Sequence, residues 1–406
     1  MARFQLVLDG PRTNTSDYPA ALESLSRRDI FIATCVKGIF ISTLIKLRSK
    51  NEIGANERCS NSSSPESAAR INLQCLANRR RRLMPHAIRV HETGGPENLV
   101  WDEISVANPD VGQARIRQTA VGVNYIDIYF RSGLYPQPLP FIPGREAVGV
   151  VEAVGPDVTS LKAGDRVVYS GVQGAYTEVR LAPVDRLIKL PDGINDDVGA
   201  AMMQKGMTAW FLCRQTYKVG KGDTILVHAA AGGVGLVLCQ WAKALGATVI
   251  GTVSTEEKAE LVKAHGCDYP LIHGKDDFVK VTREVTGGVG VPVVYDSIGK
   301  DTFMRSLDCI RPLGLMVLFG TASGPVPPFD ISILDKKGSL FLTRPTQNAY
   351  LPNRAKVEEG AQEVFDVVQS GAVKVHINQR FALKNAADAH RSLESRKTVG
   401  SLVLVP

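Results

Sequence analysis

Between Thr224 and Lys243 the chain reads TILVHAAAGGVGLVLCQWAK, and this stretch restricts the possible folds more than any other. A β-branched apolar run stops on three alanines and a glycine pair. The apolar spacing then becomes helical. A strand that feeds a Gly-rich turn and a helix is the opening unit of a doubly wound α/β sheet. Five further apolar runs follow at 248–253, 269–273, 292–299, 315–320 and 339–344, with helical patterns over 234–245, 256–265, 276–285 and 301–310. Continuous apolar strands separated by helices predict a parallel sheet covered on both faces. The expected core of the chain is therefore a six-stranded, doubly wound parallel sheet.

The window Ala230-Ala231-Gly232-Gly233-Val234-Gly235 fits GxGxxG with alanine in the first position. Gly232 would let the backbone approach a pyrophosphate, and Gly235 would let the helix pack on the strand. The helix start adds unpaired N–H groups and a partial positive charge. The plain alternative is a tight strand–helix turn without a ligand. The second strand ends in GTVSTEEK, with Ser254 and Thr255 where an NAD site carries an acid and Lys258 one turn later. A hydroxyl and a cation there would attract a 2′-phosphate, which points to NADPH rather than NADH. Ser254-x-x-Glu257 also reads as a capping box, and Lys258 as a solvated helix face.

Upstream the pattern is different. Short β-runs at 114–124, 147–155 and 165–170 are separated by GPD, AGD and PDG turn signals, which predict an antiparallel, partly barrel-like domain. A helix near 354–370 and a last strand, SLVLVP, are expected to rejoin it. The expected divisions are 1–83, 84–206, 207–346 and 347–406.

The net charge of +7 belongs to the first 83 residues, which hold 14 Lys and Arg against 7 Asp and Glu; the remainder balances. A neutral body lacks the footprint of a nucleic-acid binder, so no nucleic-acid partner is expected. Seven cysteines at irregular spacing, with no CxxC pair, fit a reducing, cytoplasmic setting, with Cys239 and Cys309 buried. Residues 30–47 form an apolar run about long enough to span a bilayer. Lys37 near its middle would cost about 2.5–3.5 kcal/mol, and no cleavage site follows, so no membrane partner is expected. The Ser-, Asn- and Arg-rich segment 1–83 is expected to be disordered or weakly helical, with the functional protein starting near Met84; a targeting role is the second reading.

Taken in one frame, GDTILVHAAAGGVGLVLCQWAK (222–243), GVNYIDIYFRSGLYP (122–136), IPGREAVGVVEAVG (142–155), KAGDRVVY (162–169), VVYDSIGKDTFMRSLDCIRPLG (293–314), GSLFLTRPT (338–346) and LESRKTVGSLVL (393–404) resemble the quinone oxidoreductase and zeta-crystallin group of the medium-chain dehydrogenase/reductase superfamily. The resemblance covers 84–406. It implies a Rossmann domain joined to a GroES-like catalytic domain, NADPH as cofactor, and dimerisation through the sixth strand. Zinc-dependent relatives carry Cys and His ligands. Here 84–212 has no cysteine, GVNYID stands at a ligand position and GREAVG replaces Gly-His-Glu, so an enzyme without metal is expected.

The same resemblance places Asn124, Tyr125 and Tyr129 at the nicotinamide end, Thr208 at the mouth of the cleft, and Lys258 and Arg396 on the 2′-phosphate. His273 falls where relatives often carry a stacking Tyr. Phe319 joins Ala230, Gly232, Gly233, Val234, Gly235 and Ser254 in the expected cofactor site. Plainer readings exist for three of these: a packed junction for Tyr125, a back-bonded helix hydroxyl for Thr208, and a surface charge for Arg396. Without metal, charge developing on an acceptor oxygen needs a hydrogen-bond donor. Tyr135 resembles the proton donor of related enoyl-thioester reductases and, with Asn124, is the catalytic candidate; a rim aromatic is the alternative. The implied reaction is hydride transfer from NADPH to a quinone. Reduction of a double bond conjugated to a carbonyl is the second reading, and a non-catalytic NADPH-binding protein the third.

Overall fold

The computed structural model describes residues 29–36, 39–46 and 84–406. Strands β1 (Asp29–Val36) and β2 (Ile39–Lys46) pair antiparallel with Val36 opposite Ile39. Both segments are rich in Ile, Thr, Val and Phe, which lose rotamer freedom in a helix and suit a pleated strand. The rest of 1–83, for which a disordered or weakly helical segment is expected, lies outside the described residues. No helix among the described residues is long and apolar enough to cross a membrane.

The body begins with a two-stranded ladder of β3 (His86–Val90) and β4 (Leu99–Glu103). Strand β5 (Gln113–Val123) runs into helix α1 (Tyr125–Arg131), followed by β6 (Glu146–Val154), β7 (Arg166–Ser170), β8 (Val179–Pro183) and β9 (Ile188–Lys189). Helix α2 (Asp196–Trp210) is started by Asn195, whose side chain accepts the N–H of Val198, with Asp196 and Asp197 in its first turn. Its residues are buried nearly all round, from Ala200 through Met203 and Met207 to Trp210. It packs on β5, β6 and β7 and on the first helix of the second sheet, so it is the shared wall of both halves. The expected division at 206/207 falls inside this helix.

The second sheet consists of β10 (Thr224–Val227), β11 (Thr248–Val253), β12 (Tyr269–Ile272), β13 (Val291–Asp296), β14 (Ile310–Leu318) and β15 (Phe341–Thr343). Helices α3 (Gly233–Ala244), α4 (Glu256–Ala264), α5 (Phe278–Val285) and α6 (Phe303–Ser306) lie between them. The order is β12-β11-β10-β13-β14-β15, all parallel, which is the Rossmann order. Helix α6 is shorter than the expected 301–310, because a 3-10 turn and then β14 take over from Leu307.

Helix α7 (Arg354–Gln369), β16 (Ile377–Ala382), α8 (Ala386–Glu394) and β17 (Ser401–Val405) complete the chain. β17 pairs antiparallel with β5, so the C-terminal residues return to the first sheet, whose order is β16-β17-β5-β6-β7-β9 with β8 also on β5. Just before β17, Gly400 donates to Ala231 O at 2.9 Å. The end of the chain is thereby tied to the Gly-rich turn of the other sheet. Cys213, Cys239, Cys267 and Cys309 are all free and buried, and burial pushes each thiol up.

Candidate active site

A cleft of about 630 Å³ opens where the strand ends of the parallel sheet face α1, α2 and the start of β17. Its nucleotide side is built on α3. Gly233, Val234 and Gly235 occupy the first helical turn, where N–H groups have no partner within the helix. A Cβ on Gly235 would meet Ala229 O at 2.4 Å, and one on Gly233 would meet the Lys205 stem at 2.9 Å. The helix start is thus bare backbone facing the cleft, which fits a pyrophosphate.

Ala230 departs from expectation. It is wholly buried in the core, and its N–H donates to Thr252 O at 3.0 Å. The turn is made instead by Ala229, at φ 52°, so Ala229 and Ala231 reach the cleft while the methyl of Ala230 points inward. Gly232, Gly233, Val234 and Gly235 all line the cleft as expected.

The end of β11 also differs in detail. The cap of α4 is Thr255, whose hydroxyl accepts the N–H of Lys258 at 3.3 Å, not Ser254. The expected Ser254–Glu257 box is therefore displaced by one residue, and Ser254 stays on the cleft wall. Lys258 Nζ donates to Arg396 O at 2.6 Å, and Arg396 donates to Ala322 O at 3.0 Å. Partial burial lowers the Lys258 ammonium from its usual value. These two cations come from opposite halves of the molecule and meet on one wall with Ser254. His273 and Phe319 line the same side of the cleft.

The opposite end is organised by α1 and α2. Asn124, 7% exposed, precedes α1 with extended backbone. Its Nδ2 donates to Glu146 Oε2 at 2.9 Å, and its Oδ1 accepts from Lys205 Nζ at 2.9 Å. Lys205 Nζ also donates to Val123 O and Glu146 Oε2, and Glu146 Oε1 accepts the N–H of Gln204 at 2.7 Å. The amide of Asn124 is therefore clamped at both ends. Glu146, Lys205 and Gln204 escaped the sequence reading. The signal for Glu146 and Lys205 was a charged residue in the apolar runs EAVGVV and AAMMQKGM, a departure that usually marks a paired buried ion; Gln204 carried none.

Tyr125, Tyr129 and Tyr135 form an edge-on aromatic series, with centroids 5.4 and 5.1 Å apart. Tyr129 Oη accepts the N–H of Thr321 at 3.1 Å, which ties α1 to the loop after β14. Burial raises its phenol. Tyr135 Oη accepts from Arg344 Nη2 at 3.2 Å. Its hydrogen is not engaged by that bond. Thr208 lines the cleft while its hydroxyl donates to Gln204 O at 2.7 Å, the back-bonded arrangement of a helix interior.

Behind α1, Asp127 Oδ2 accepts the N–H of Asn124 at 2.9 Å and the hydroxyl of Tyr176 at 3.1 Å. Tyr176 is also 3.0 Å from His390 Nε2, and Arg131 lies 3.3 Å from His390 Nδ1. Burial pushes the Asp127 carboxyl up to about 7, and burial with the neighbouring Arg131 pulls His390 down to about 3.

For a metal ion the donor set does not fit. Asn124 and Arg145 occupy the expected ligand positions, and the ammonium of Lys205 sits against Asn124. Among the described residues no group of three His, Cys, Asp or Glu is placed to hold one.

Residues 110–192 match the alcohol dehydrogenase GroES-like domain, and 233–350 match the model described as zinc-binding dehydrogenase. A quinone oxidoreductase of Pseudomonas aeruginosa is 49% identical over 325 residues, covering 80% of this chain and all of the relative. A 2-haloacrylate reductase of a Burkholderia species is 48% identical over 332 residues, covering 80% of this chain and 99% of that protein. The crystal structure of Escherichia coli quinone oxidoreductase complexed with NADPH superposes with a TM-score of 0.78 at 45% identity, over 79% of this chain and all of that one. Identity of this order along the whole length of such relatives, on one two-sheet fold with one cleft, places the chain in the quinone oxidoreductase family.

Proposed function

We propose that the protein is an NADPH-dependent oxidoreductase that reduces a quinone. The observation that carries this is the cleft itself. A bare helix start, a cationic wall and a clamped amide line one continuous surface, on a chain nearly half identical to quinone oxidoreductases. Gly233, Val234 and Gly235 would hold the pyrophosphate, Ser254, Lys258 and Arg396 the 2′-phosphate, and Phe319 and His273 the adenosine side. Asn124, Tyr125, Tyr129 and Thr208 would face the nicotinamide end. When bound, NADPH supplies a hydride. The protein orients the reactants and excludes water, and Tyr135 offers its hydroxyl to the acceptor oxygen.

A second reading, reduction of a double bond conjugated to a carbonyl, is favoured by the hold of Arg344 on Tyr135 and by the likeness to a 2-haloacrylate reductase. NADPH oxidation with 1,4-benzoquinone and with an alkenal separates the two. Turnover of neither would leave only nucleotide binding.

The two functional parts would be 84–206 with 347–406, which take the acceptor, and 207–346, which takes the nucleotide. Strand β15 ends the parallel sheet with Phe341 60% exposed, an edge suited to a second copy. A cytoplasmic homodimer is the expected form. Sedimentation of the wild type and of Phe341→Glu tests the dimer.

A further inference from the structure

The acceptor end of the cleft is bordered by a series of contacts. Arg344 holds Tyr135, whose ring lies 5.7 Å edge-on from Phe130. The guanidinium of Arg145 stands 5.7 Å over the same Phe130 ring. Arg145 Nη2 donates to Gly171 O at 2.7 Å, and the N–H of Gly171 donates to Gln204 Oε1 at 3.0 Å. Gln204 then bonds Gln347 at 2.6 Å, which brings the wall back towards Arg344.

Neither guanidinium in this series has a carboxylate within salt-bridge distance among the described residues. Arg344 spends its bonds on Leu318 O, Gly320 O and Tyr135. The Nε–H of Arg145 is buried without an acceptor. Burial pulls the Arg145 guanidinium below its usual value, and Asp127, buried behind α1 and off the cleft wall, only partly opposes this. The third cation, Lys205, is neutralised by Glu146 at 3.1 Å. Among the described residues the one acid on the cleft wall is Asp301, which belongs to the nucleotide half, where its N–H is held by Ser323. A half-buried cation without a counter-ion costs solvation energy that an anionic ligand returns. Polar amides and aromatic rings complete the walls, so the space suits a flat conjugated molecule with one negative end.

We infer that this end of the cleft is a carboxylate-binding subsite, and that the protein reduces conjugated ketones that carry a carboxylate, the 4-oxo-2-enoate class. Arg145 takes the carboxylate, and the Tyr135 hydroxyl, held by Arg344, meets the ketone oxygen. A hydride from NADPH forms a C–H bond at the carbon β to the ketone, and the carbon–carbon π bond breaks. Its electron pair moves towards the ketone oxygen, and the α carbon takes one proton from solvent or Tyr135. The products are the saturated 4-oxo acid and NADP⁺, with the carboxylate unchanged. The inference rests on the reductase reading above and deepens it.

The test compares 4-oxopent-2-enoate with its methyl ester, which keeps the conjugation and removes the charge. For the wild type, kcat/KM is expected to be at least about tenfold higher for the acid, a free-energy difference of about 1.4 kcal/mol. In Arg145→Met the ratio of acid to ester falls to about one, and Arg145→Lys keeps part of it. Equal turnover of acid and ester by the wild type, or an unchanged ratio in Arg145→Met, overturns the inference. So does turnover of 1,4-benzoquinone with neither enone reduced, an outcome that leaves the quinone reading standing. A binding measurement keeps the subsite testable without turnover. With NADPH bound, benzoate should bind at least about tenfold more tightly than benzamide in a fluorescence titration. Equal binding of the two sinks the subsite, whatever the activity.

Discussion

The ammonium of Lys205 lies 3.1 Å from Glu146 Oε2 with the two side chains 5% and 0% exposed, and both hold the amide of Asn124. Removing one partner of a buried ion pair leaves the other charge without solvent or counter-ion, at a cost of about 3–5 kcal/mol. Lys205→Met is therefore expected to lower the unfolding free energy by about that amount in urea denaturation. It should also lower kcat in whatever protein folds, because Asn124 loses the donor on its Oδ1. A variant as stable and active as the wild type would show that the clamp is dispensable.

Lys258 and Arg396 reach the same wall from opposite halves of the molecule. A charge-assisted bond to a phosphate is worth about 1.5–3 kcal/mol. Lys258→Ala should raise KM for NADPH by about ten- to a hundredfold and change KM for NADH little. Steady-state kinetics with both cofactors decide it; equal effects would remove Lys258 from the 2′-phosphate site.

Tyr135, held by Arg344, presents its hydroxyl at the acceptor end. With a conjugated enone, the developing enolate oxygen needs that donor, and Tyr135→Phe should reduce kcat by about 10²-fold or more. With a quinone the reduced product takes its protons from water, and the same change should cost less than about tenfold. Matching losses with both acceptors would show that the hydroxyl acts in binding only.

Asp127 and His390 give opposite pH dependences through Tyr176. The Asp127 carboxyl, raised from 3.8 to about 7, binds its proton more tightly when folded. Its contribution to stability is complete below about pH 4 and is lost as pH rises through 7. The His390 imidazole, lowered from 6.5 to about 3, is neutral when folded. Its contribution is complete above pH 6.5 and is lost as pH falls towards 3. Between about pH 4 and 6.5 the two slopes oppose, each at most about 1.4 kcal/mol per pH unit. In that window Asp127→Asn should become more stable as pH rises, and His390→Gln less stable. Denaturation midpoints at several pH values check the signs; parallel curves for the two variants would contradict them.

We propose that residues 84–406 are sufficient for folding and catalysis. The first strand of the body, β3, begins at His86, and relatives are matched over their full length by about 80% of the chain. A protein starting at Met84 should keep the thermal midpoint and the turnover of the full chain. A loss in either would make 1–83 an integral part.

Much of this architecture follows from local pattern alone. The six parallel strands, the Gly-rich turn and the return of SLVLV to the first sheet rest on periodicities of two and 3.6 residues, which are properties of a short segment. The likeness of several motifs in one frame added the cleft residues that lie within those motifs. Two of the misjudged details turned on single orientations. Ala230 and Ala229 are the same residue type, and only the positive φ of Ala229 decides which one faces the cleft. Ser254 and Thr255 offer equivalent hydroxyls, and the extended backbone of Thr255 selects it as the cap. The long-range contacts that border the acceptor end lay beyond local reading. Arg145, Gln204, Arg344 and Gln347 are far apart along the chain and meet only because α2 is shared by both sheets and the segment after β15 returns to the cleft. Local sequence sets each backbone and its apolar face. The pairing of distant charges depends on which strands become neighbours, and that is decided by burial of the whole core.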